Sequence, residues 1–329
     1  MSTTAPIRWG ILGPGNIARQ FATGLSVIDD AELVAVGSRT RDRADAFGDE
    51  FDVARRHASY EDLVADPDVD VIYVATPHSL HRDSSLLCLE SGKAVLCEKP
   101  FALNAAQAAE MIAVARNRNL FLMEAMWTRF IPAVVKAREW IAAGAIGEPR
   151  LVAADFGFRA GVNPQGRLFD PALGGGALLD VGIYTISFAA MVLGSQPCRI
   201  ESLATMGETG VDEQSAFILG YDGGEMAVLY TAVRTSTPVE ARVLGTEGRI
   251  LVQAPFFKSG AVTLEAGGSL ETVELPLEGN GYNYQAVEVM ECLRAGRTES
   301  DTMPLDETLD LMKIMDQIRA QWGLTYPGE

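Results

Sequence analysis

Apolar and polar positions follow two rhythms along the chain, and the change between them divides it. Up to about residue 125, short continuous apolar runs alternate with amphipathic stretches. Residues 7–12, Ile-Arg-Trp-Gly-Ile-Leu, read as a buried strand, and Ile17, Ala18 and Phe21 begin a helical apolar face. The same reading predicts strands at 32–37, 70–76, 93–97 and 120–123. Between them it predicts helices at 42–50, 60–65 (ended by Asp66-Pro67) and 84–91 (stopped by Gly92), and one from an Asn104 cap to about residue 117. Strands that alternate with helices predict a parallel, doubly wound α/β sheet.

After about residue 125 the rhythm changes. Residues 132–143 are amphipathic, 150–158 read as a strand, and Gly174-Gly175-Gly176 opens an apolar helix over 177–193 that carries Asp180 and Tyr184. Strand-like runs then recur between Gly and Pro turns, at 200–205, 214–221, 225–233, 240–244, 248–253, 261–265 and 271–275. No helix separates them, which predicts a largely antiparallel, open-faced sheet in an α+β domain. Closing helices are predicted at 282–295 and 305–322. The expected domains are therefore residues 1–125 and 126–329.

The turn after the first strand carries the first chemical signal. Gly13-Pro14-Gly15-Asn16-Ile17-Ala18 is G-x-G-x-x-A between a strand and a helix. Gly13 permits the tight turn, Gly15 lets a pyrophosphate approach the backbone, and Ala18 lets helix and strand pack closely. The helix N-terminus offers free N–H groups to an anion. The alternative is a glycine turn in some other α/β protein. At the end of the second strand, where an acidic residue would take a ribose 2′-OH, stand Ser38 and Arg39. A hydroxyl and a guanidinium suit a 2′-phosphate, so NADP(H) is expected over NAD(H). The alternative is a solvated basic turn. Pro77 to His81 and Glu98-Lys99-Pro100 also follow strands, so four polar loops are expected at one sheet edge.

Charge and cysteine content narrow the partners. The chain of 329 residues has 27 Lys and Arg against 44 Asp and Glu, a net charge of −17. Such a surface repels phosphate backbones and anionic lipid, so neither nucleic acid nor membrane is expected as a partner. The four cysteines, Cys88, Cys97, Cys198 and Cys292, form no C-x-x-C pair and are expected to be reduced and buried in a cytoplasmic protein. The start, Met-Ser-Thr-Thr-Ala-Pro, has neither the basic nor the apolar region of a signal peptide, and no later stretch reads as a membrane span. His78 and His81 have no evident third ligand, so no metal site is expected.

Four motifs in one order carry a resemblance: Gly13-x-Gly15-x-x-Ala18, Thr76-Pro77-His78-x-x-His81, Glu98-Lys99-Pro100, and residues 176–184, Gly-Ala-Leu-Leu-Asp-Val-Gly-Ile-Tyr. They are similar to the glucose-fructose oxidoreductase/inositol dehydrogenase (Gfo/Idh/MocA) superfamily, over nearly the whole chain. Residues 124–130, Glu-Ala-Met-Trp-Thr-Arg-Phe, look most like its dimeric dihydrodiol dehydrogenase branch, which also resembles bacterial sugar 1-dehydrogenases. The resemblance implies a Rossmann domain followed by a substrate domain, hydride transfer between a nicotinamide and a sugar-like or cyclic alcohol, and a homo-oligomer, a dimer first of all. It implies a cofactor site drawn from Gly13, Gly15, Asn16, Ile17, Ser38, Arg39, Thr76, Pro77, His81, Glu98, Lys99 and Trp127. For Trp127, with Arg129 beside it, a plain core role is the alternative, and for His78 and His81 it is simple loop polarity.

The family's Lys by the nicotinamide matches Lys99, and its Asp-x-x-x-His pair matches Asp180 and Tyr184, with Tyr in place of His. The i, i+4 spacing puts both on one face of an α-helix. A phenol with an ordinary pKa of about 10 needs help to act as a base at neutral pH. A neighbouring ammonium favours the phenolate. Tyr184 is thus expected as general acid/base, Lys99 as its electrostatic partner and Asp180 as the group that orients Lys99. Two other readings of the same fold stand beside this one: a regulatory protein that binds NADP(H) without turnover, and a glycoside-processing enzyme that uses NAD(H) transiently.

Overall fold

The computed structural model describes residues 5–329; residues 1–4, part of the start discussed above, lie outside the described residues. In chain order the first elements are β1 (Ile7–Leu12), α1 (Asn16–Leu25), β2 (Ala31–Gly37), α2 (Arg41–Phe51), β3 (Arg55–His57) and α3 (Tyr60–Val64). Next come β4 (Val71–Val74), α4 (His81–Glu90), β5 (Ala94–Cys97), α5 (Ala105–Arg118) and β6 (Leu122–Glu124). The six strands make one sheet in the order β3-β2-β1-β4-β5-β6, with every pairing parallel. The order reverses between β1 and β4, the switch point at which such sheets leave a crevice for ligands. Every residue of β4 and β5 is buried. Phe21 of α1 stacks on Tyr73 of β4 with ring centroids 3.9 Å apart, and Trp9 of β1 meets Phe21 edge-on. Strand β3 is not visible in the hydrophobic pattern: Arg-Arg-His is polar because this edge strand pairs with β2 alone.

The chain continues with α6 (Pro132–Ala142), β7 (Pro149–Gly157), a π-helical turn at Leu178–Gly182 and α7 (Ile183–Leu193). Seven strands follow: β8 (Arg199–Met206), β9 (Asp212–Gly220), β10 (Met226–Ala232), β11 (Ala241–Gly245), β12 (Gly248–Val252), β13 (Ala261–Ala266) and β14 (Ser269–Glu274). They join β7 in an eight-stranded sheet of order β14-β13-β12-β11-β7-β10-β9-β8. All pairings are antiparallel except β7 with β10, which is parallel. The long excursion through α7 between β7 and the later strands permits that one parallel pair. Helix α7 packs against β7, β10 and β11.

Two expectations are corrected here. The stretch Pro171–Leu193 is long and apolar enough to cross a membrane by composition, with a mean hydropathy of 1.8, but 83% of that window is buried in the protein. Its hydrophobicity is met by protein packing. Of the cysteines, Cys88, Cys97 and Cys292 are buried free thiols, but Cys198 is exposed, at the foot of the outermost strand β8.

The chain ends with α8 (Tyr282–Arg294) and α9 (Leu305–Ala320). It divides into two compact units. One comprises residues 1–102, 106–125 and 278–308; the other comprises 103–105, 126–277 and 309–329. The stretch 278–308 thus groups with the parallel sheet, although sequence order puts it after the second sheet. Asn280 donates to the carbonyl of Gln20 on α1 at 2.7 Å, and Arg294 pairs with Asp30 at 2.7 Å. Nothing local in 278–308 announces these distant partners.

Candidate active site

In the first unit, the glycine turn has the geometry that an anion needs. Gly13 has φ +90°, and a Cβ there would lie 3.2 Å from the carbonyl group of Ala75, so only glycine fits. A Cβ on Gly15 would meet nothing within 4 Å, which leaves that backbone open to approach. Gly15 is also the N-cap of α1 and supplies no side-chain cap, so the first amides, from Asn16 and Ile17 on, have no side-chain partner. Open backbone and free amides of this kind can receive an anion such as a pyrophosphate. Beyond β2, the N–H of Ser38 donates to the His57 carbonyl at 3.1 Å, and its buried hydroxyl accepts from Thr40 N–H at 3.4 Å. Arg39 and Arg43 are exposed and make no ion pair among the described residues, whereas their neighbour Arg41 pairs with Asp45. Both bear on Tyr60: burial raises its phenol above the ordinary value, and the charges of Arg39 and Arg43 oppose that.

The loops after β4 and β5 are tied together by His81. The ring is fully buried, with Nδ1 2.7 Å from the Pro100 carbonyl and Nε2 2.9 Å from the Thr76 carbonyl. Burial pushes His81 down to about 4, against the two carbonyls that favour its charged form. The neutral ring carries one N–H, so it donates to one of these two carbonyls and lies against the other; only the imidazolium would donate to both. His78 lies beside it, ring centroids 5.6 Å apart. Glu98 is buried too. Its carboxylate accepts from the Tyr73 hydroxyl and, at 3.1 Å, from the N–H of Lys99. The Lys99–Pro100 peptide bond is cis. The backbone on both sides of Lys99 is therefore held by buried polar groups.

In the second unit, the helix expected at 177–193 begins with the π turn instead of an α turn. A π turn closes i to i+5, so the i, i+4 argument for Asp180 and Tyr184 does not apply as an α-helix would give it. Such turns frequently mark functional sites. The Asp180 carboxylate accepts from Arg167 Nη1 at 2.8 Å. The Tyr184 hydroxyl accepts from the Trp127 indole N–H at 2.9 Å. Tyr184 also sits among aromatic rings: Phe156 at 5.3 Å and Phe257 at 5.9 Å, themselves stacked at 4.5 Å. Arg129 is buried and donates to Ser187 Oγ at 2.9 Å, further along α7. Arg167, Phe156 and Phe257 lie far from Tyr184 in sequence and belong to no motif, so nothing local signals them. Among the described residues no group of three or more His, Cys, Asp or Glu could hold a metal ion.

Comparison with known proteins shows the family. Residues 7–126 match the model of the oxidoreductase family with an NAD-binding Rossmann fold, and residues 134–251 match the GFO/IDH/MocA C-terminal domain. The chain belongs to the Gfo/Idh/MocA oxidoreductase family. Within it, the chain falls in the dihydrodiol dehydrogenase branch. It is 40% identical to the trans-1,2-dihydrobenzene-1,2-diol dehydrogenase of Mus musculus, over 98% of this chain and 99% of that one. It is 39% identical to the enzyme of that name from Homo sapiens, with the same coverage. Among solved structures it is similar to an aldose-aldose oxidoreductase from Caulobacter crescentus complexed with glycerol. There the identity is 28%, the TM-score 0.88, and the coverage 97% of this chain and 98% of that one. This Gfo/Idh/MocA member is an NAD(P)-dependent dehydrogenase or reductase.

The Trp127 hydrogen bond gives a direct test of the second unit's site. Trp127→Phe keeps an aromatic ring but removes the donor to Tyr184. A hydrogen bond to a charged partner is worth about 1.5–3 kcal/mol, so turnover should fall about 10- to 100-fold with little change in KM. Steady-state kinetics of the variant measure this; unchanged turnover would leave the indole a packing group.

Proposed function

We propose that this protein is an NADP(H)-dependent dehydrogenase of a carbinol in a sugar or cyclic diol, with Tyr184 as general acid/base. The observation that carries the proposal is the buried phenol of Tyr184, with an indole N–H aimed at its oxygen and stacked rings beside it. A donor at the phenol oxygen stabilises negative charge there. The faces of Phe156 and Phe257 suit the apolar face of a ring that carries hydroxyls on its edge. A bound nicotinamide would supply hydride exchange at the carbinol carbon. Tyr184 takes the proton that the carbinol oxygen loses and returns it in the reverse direction. Lys99 supplies the positive charge that favours the phenolate, and Asp180, paired with Arg167, is the orienting carboxylate.

For the cofactor, the glycine turn and α1 fit a pyrophosphate, and Ser38 with the unpaired Arg39 and Arg43 fits a 2′-phosphate better than a bare hydroxyl. A 3-ketoreductase from Actinomadura kijaniata, solved with NADP and TDP-benzene, is 28% identical with a TM-score of 0.84, over 96% of this chain and 97% of that one. That neighbour's NADP supports the same preference here.

For assembly, the face of the second sheet that carries Leu203, Ile218, Met226, Val228 and Tyr230 is exposed, with Leu203 81% accessible. The strand pairing puts Leu203, Ala216 and Tyr230 in one row and Ile218 and Val228 in the next. An apolar face of this kind is what a second copy would cover, so the proposed state is a homodimer.

Tyr184→Phe should keep the fold and NADPH binding and lose roughly two to four orders of magnitude in turnover. Lys99→Met should lose at least as much, and the double variant about as much as the worse single one. Near-normal turnover in Tyr184→Phe, with cofactor bound, would move the base elsewhere. Ser38→Asp should reverse the preference for NADP(H) in binding titrations; wild-type protein that binds NAD(H) at least as tightly would contradict the cofactor assignment. Sedimentation should give twice the 35.3 kDa of one chain, and a lone monomer at micromolar concentration would refute the dimer.

A further inference from the structure

The helix that bears Asp180 and Tyr184 starts on a buried carboxylate from another strand. Asp212, the first residue of β9, is fully buried. Its Oδ2 accepts the N–H of Leu178, the first residue of the π turn, at 2.8 Å, with Ser215 Oγ 3.5 Å away. Its Oδ1 has no hydrogen-bond partner among the described residues. The chain bends around this oxygen. Gly176 has φ +116°, and a Cβ there would stand 2.3 Å from Oδ1. The third glycine of Gly174-Gly175-Gly176 is thus explained by the carboxylate that it must clear. Two further groups grip the same backbone: Tyr326 donates to the Gly175 carbonyl at 2.8 Å, and Thr231 to the Ala177 carbonyl at 3.4 Å.

We propose that Asp212 is a positioning residue for the reaction, a cap that holds the π turn and so fixes where Tyr184 stands. A helix N-terminus has orphan N–H groups, and a carboxylate there is favoured by both hydrogen bonding and the helix dipole. A buried oxygen left without a partner is costly, so stability alone is a poor account of this residue. Burial raises the Asp212 carboxyl to about 7, while the N–H of Leu178 opposes that rise. The titratable group that faces it is Tyr326, whose phenol Asp212 pushes further up and over which Arg319 lies, 5.6 Å from the ring centroid. With the folded value raised, the fold gains from the neutral acid at low pH and loses that gain as pH rises toward 7. The charged cap, by contrast, is present above 7.

The kinetic arm rests on the Tyr184 assignment; the exchange arm does not. Asp212→Ala removes the oxygen that accepts the N–H of Leu178. Amide exchange over residues 177–182, corrected for intrinsic rate, should speed up about tenfold, the worth of a lost cap. Turnover should fall about tenfold or more while KM and NADPH binding stay near wild type, and Asp212→Ser, whose hydroxyl can still accept, should recover part of both. Should Asp212→Ala fail to fold, Asp212→Ser is read against wild type on the same two measures. Wild-type exchange in the folded variant overturns the proposal, as does faster exchange with undiminished turnover. A wild-type protein that turns over no sugar or diol defeats the proposed function instead, and the exchange arm still decides whether Asp212 holds the turn.

Discussion

A parallel sheet buried on both faces can place polar chemistry only in the loops that leave its strands. In the first unit that constraint shapes everything around Lys99. Strands β4 and β5 are four buried residues each, and the chain turns polar directly beyond them. These loops are held from beneath. The ring of His81 lies between the carbonyls of Thr76 and Pro100 and donates to one of them, and Glu98 accepts from both Tyr73 and the N–H of Lys99. Buried polar groups that satisfy one another rigidify a site, and removal of one partner leaves the other unpaired in a medium that penalises it. Glu98, expected with His81 at the cofactor, also accepts from the backbone that presents Lys99.

The second unit meets the same need with a helix. An apolar helix packed on a sheet has little freedom to aim a polar side chain, and a π turn alters its register by one residue without breaking it. Asp180 lies inside that turn and Tyr184 just beyond it. Each then finds a partner from a distant segment, Arg167 and Trp127. Four aromatic residues, Trp127, Phe156, Tyr184 and Phe257, are drawn together from separate parts of the chain. That wall is what makes a ring-shaped substrate a chemical expectation for this unit.

The parallel sheet of the first unit was legible because its strands are apolar runs cut by glycine and proline. Lys99, Asp180 and Tyr184 were singled out through motifs and the family resemblance they carry. Four features were not. Strand β3 is three polar residues whose only reason to be a strand is β2 beside it. The parallel pairing of β7 with β10 depends on where the chain returns after α7, which periodicity does not encode. The π turn leaves no trace in a sequence that reads as a continuous apolar helix. Arg167 and Asp212 stand in segments with no pattern of their own and acquire meaning only from Asp180 and Leu178. Local signals reveal local chemistry; contacts between distant segments appear only once the chain is folded.

The most direct test of this account is the rise of the reduced-nicotinamide absorbance band when wild-type protein meets NADP and a panel of trans-diols of six-membered rings and free sugars. The account predicts NADPH formed one for one with oxidised carbinol for at least one of these substrates. No NADPH from any of them, with the cofactor tightly bound or with a glycoside consumed at constant absorbance, would contradict it.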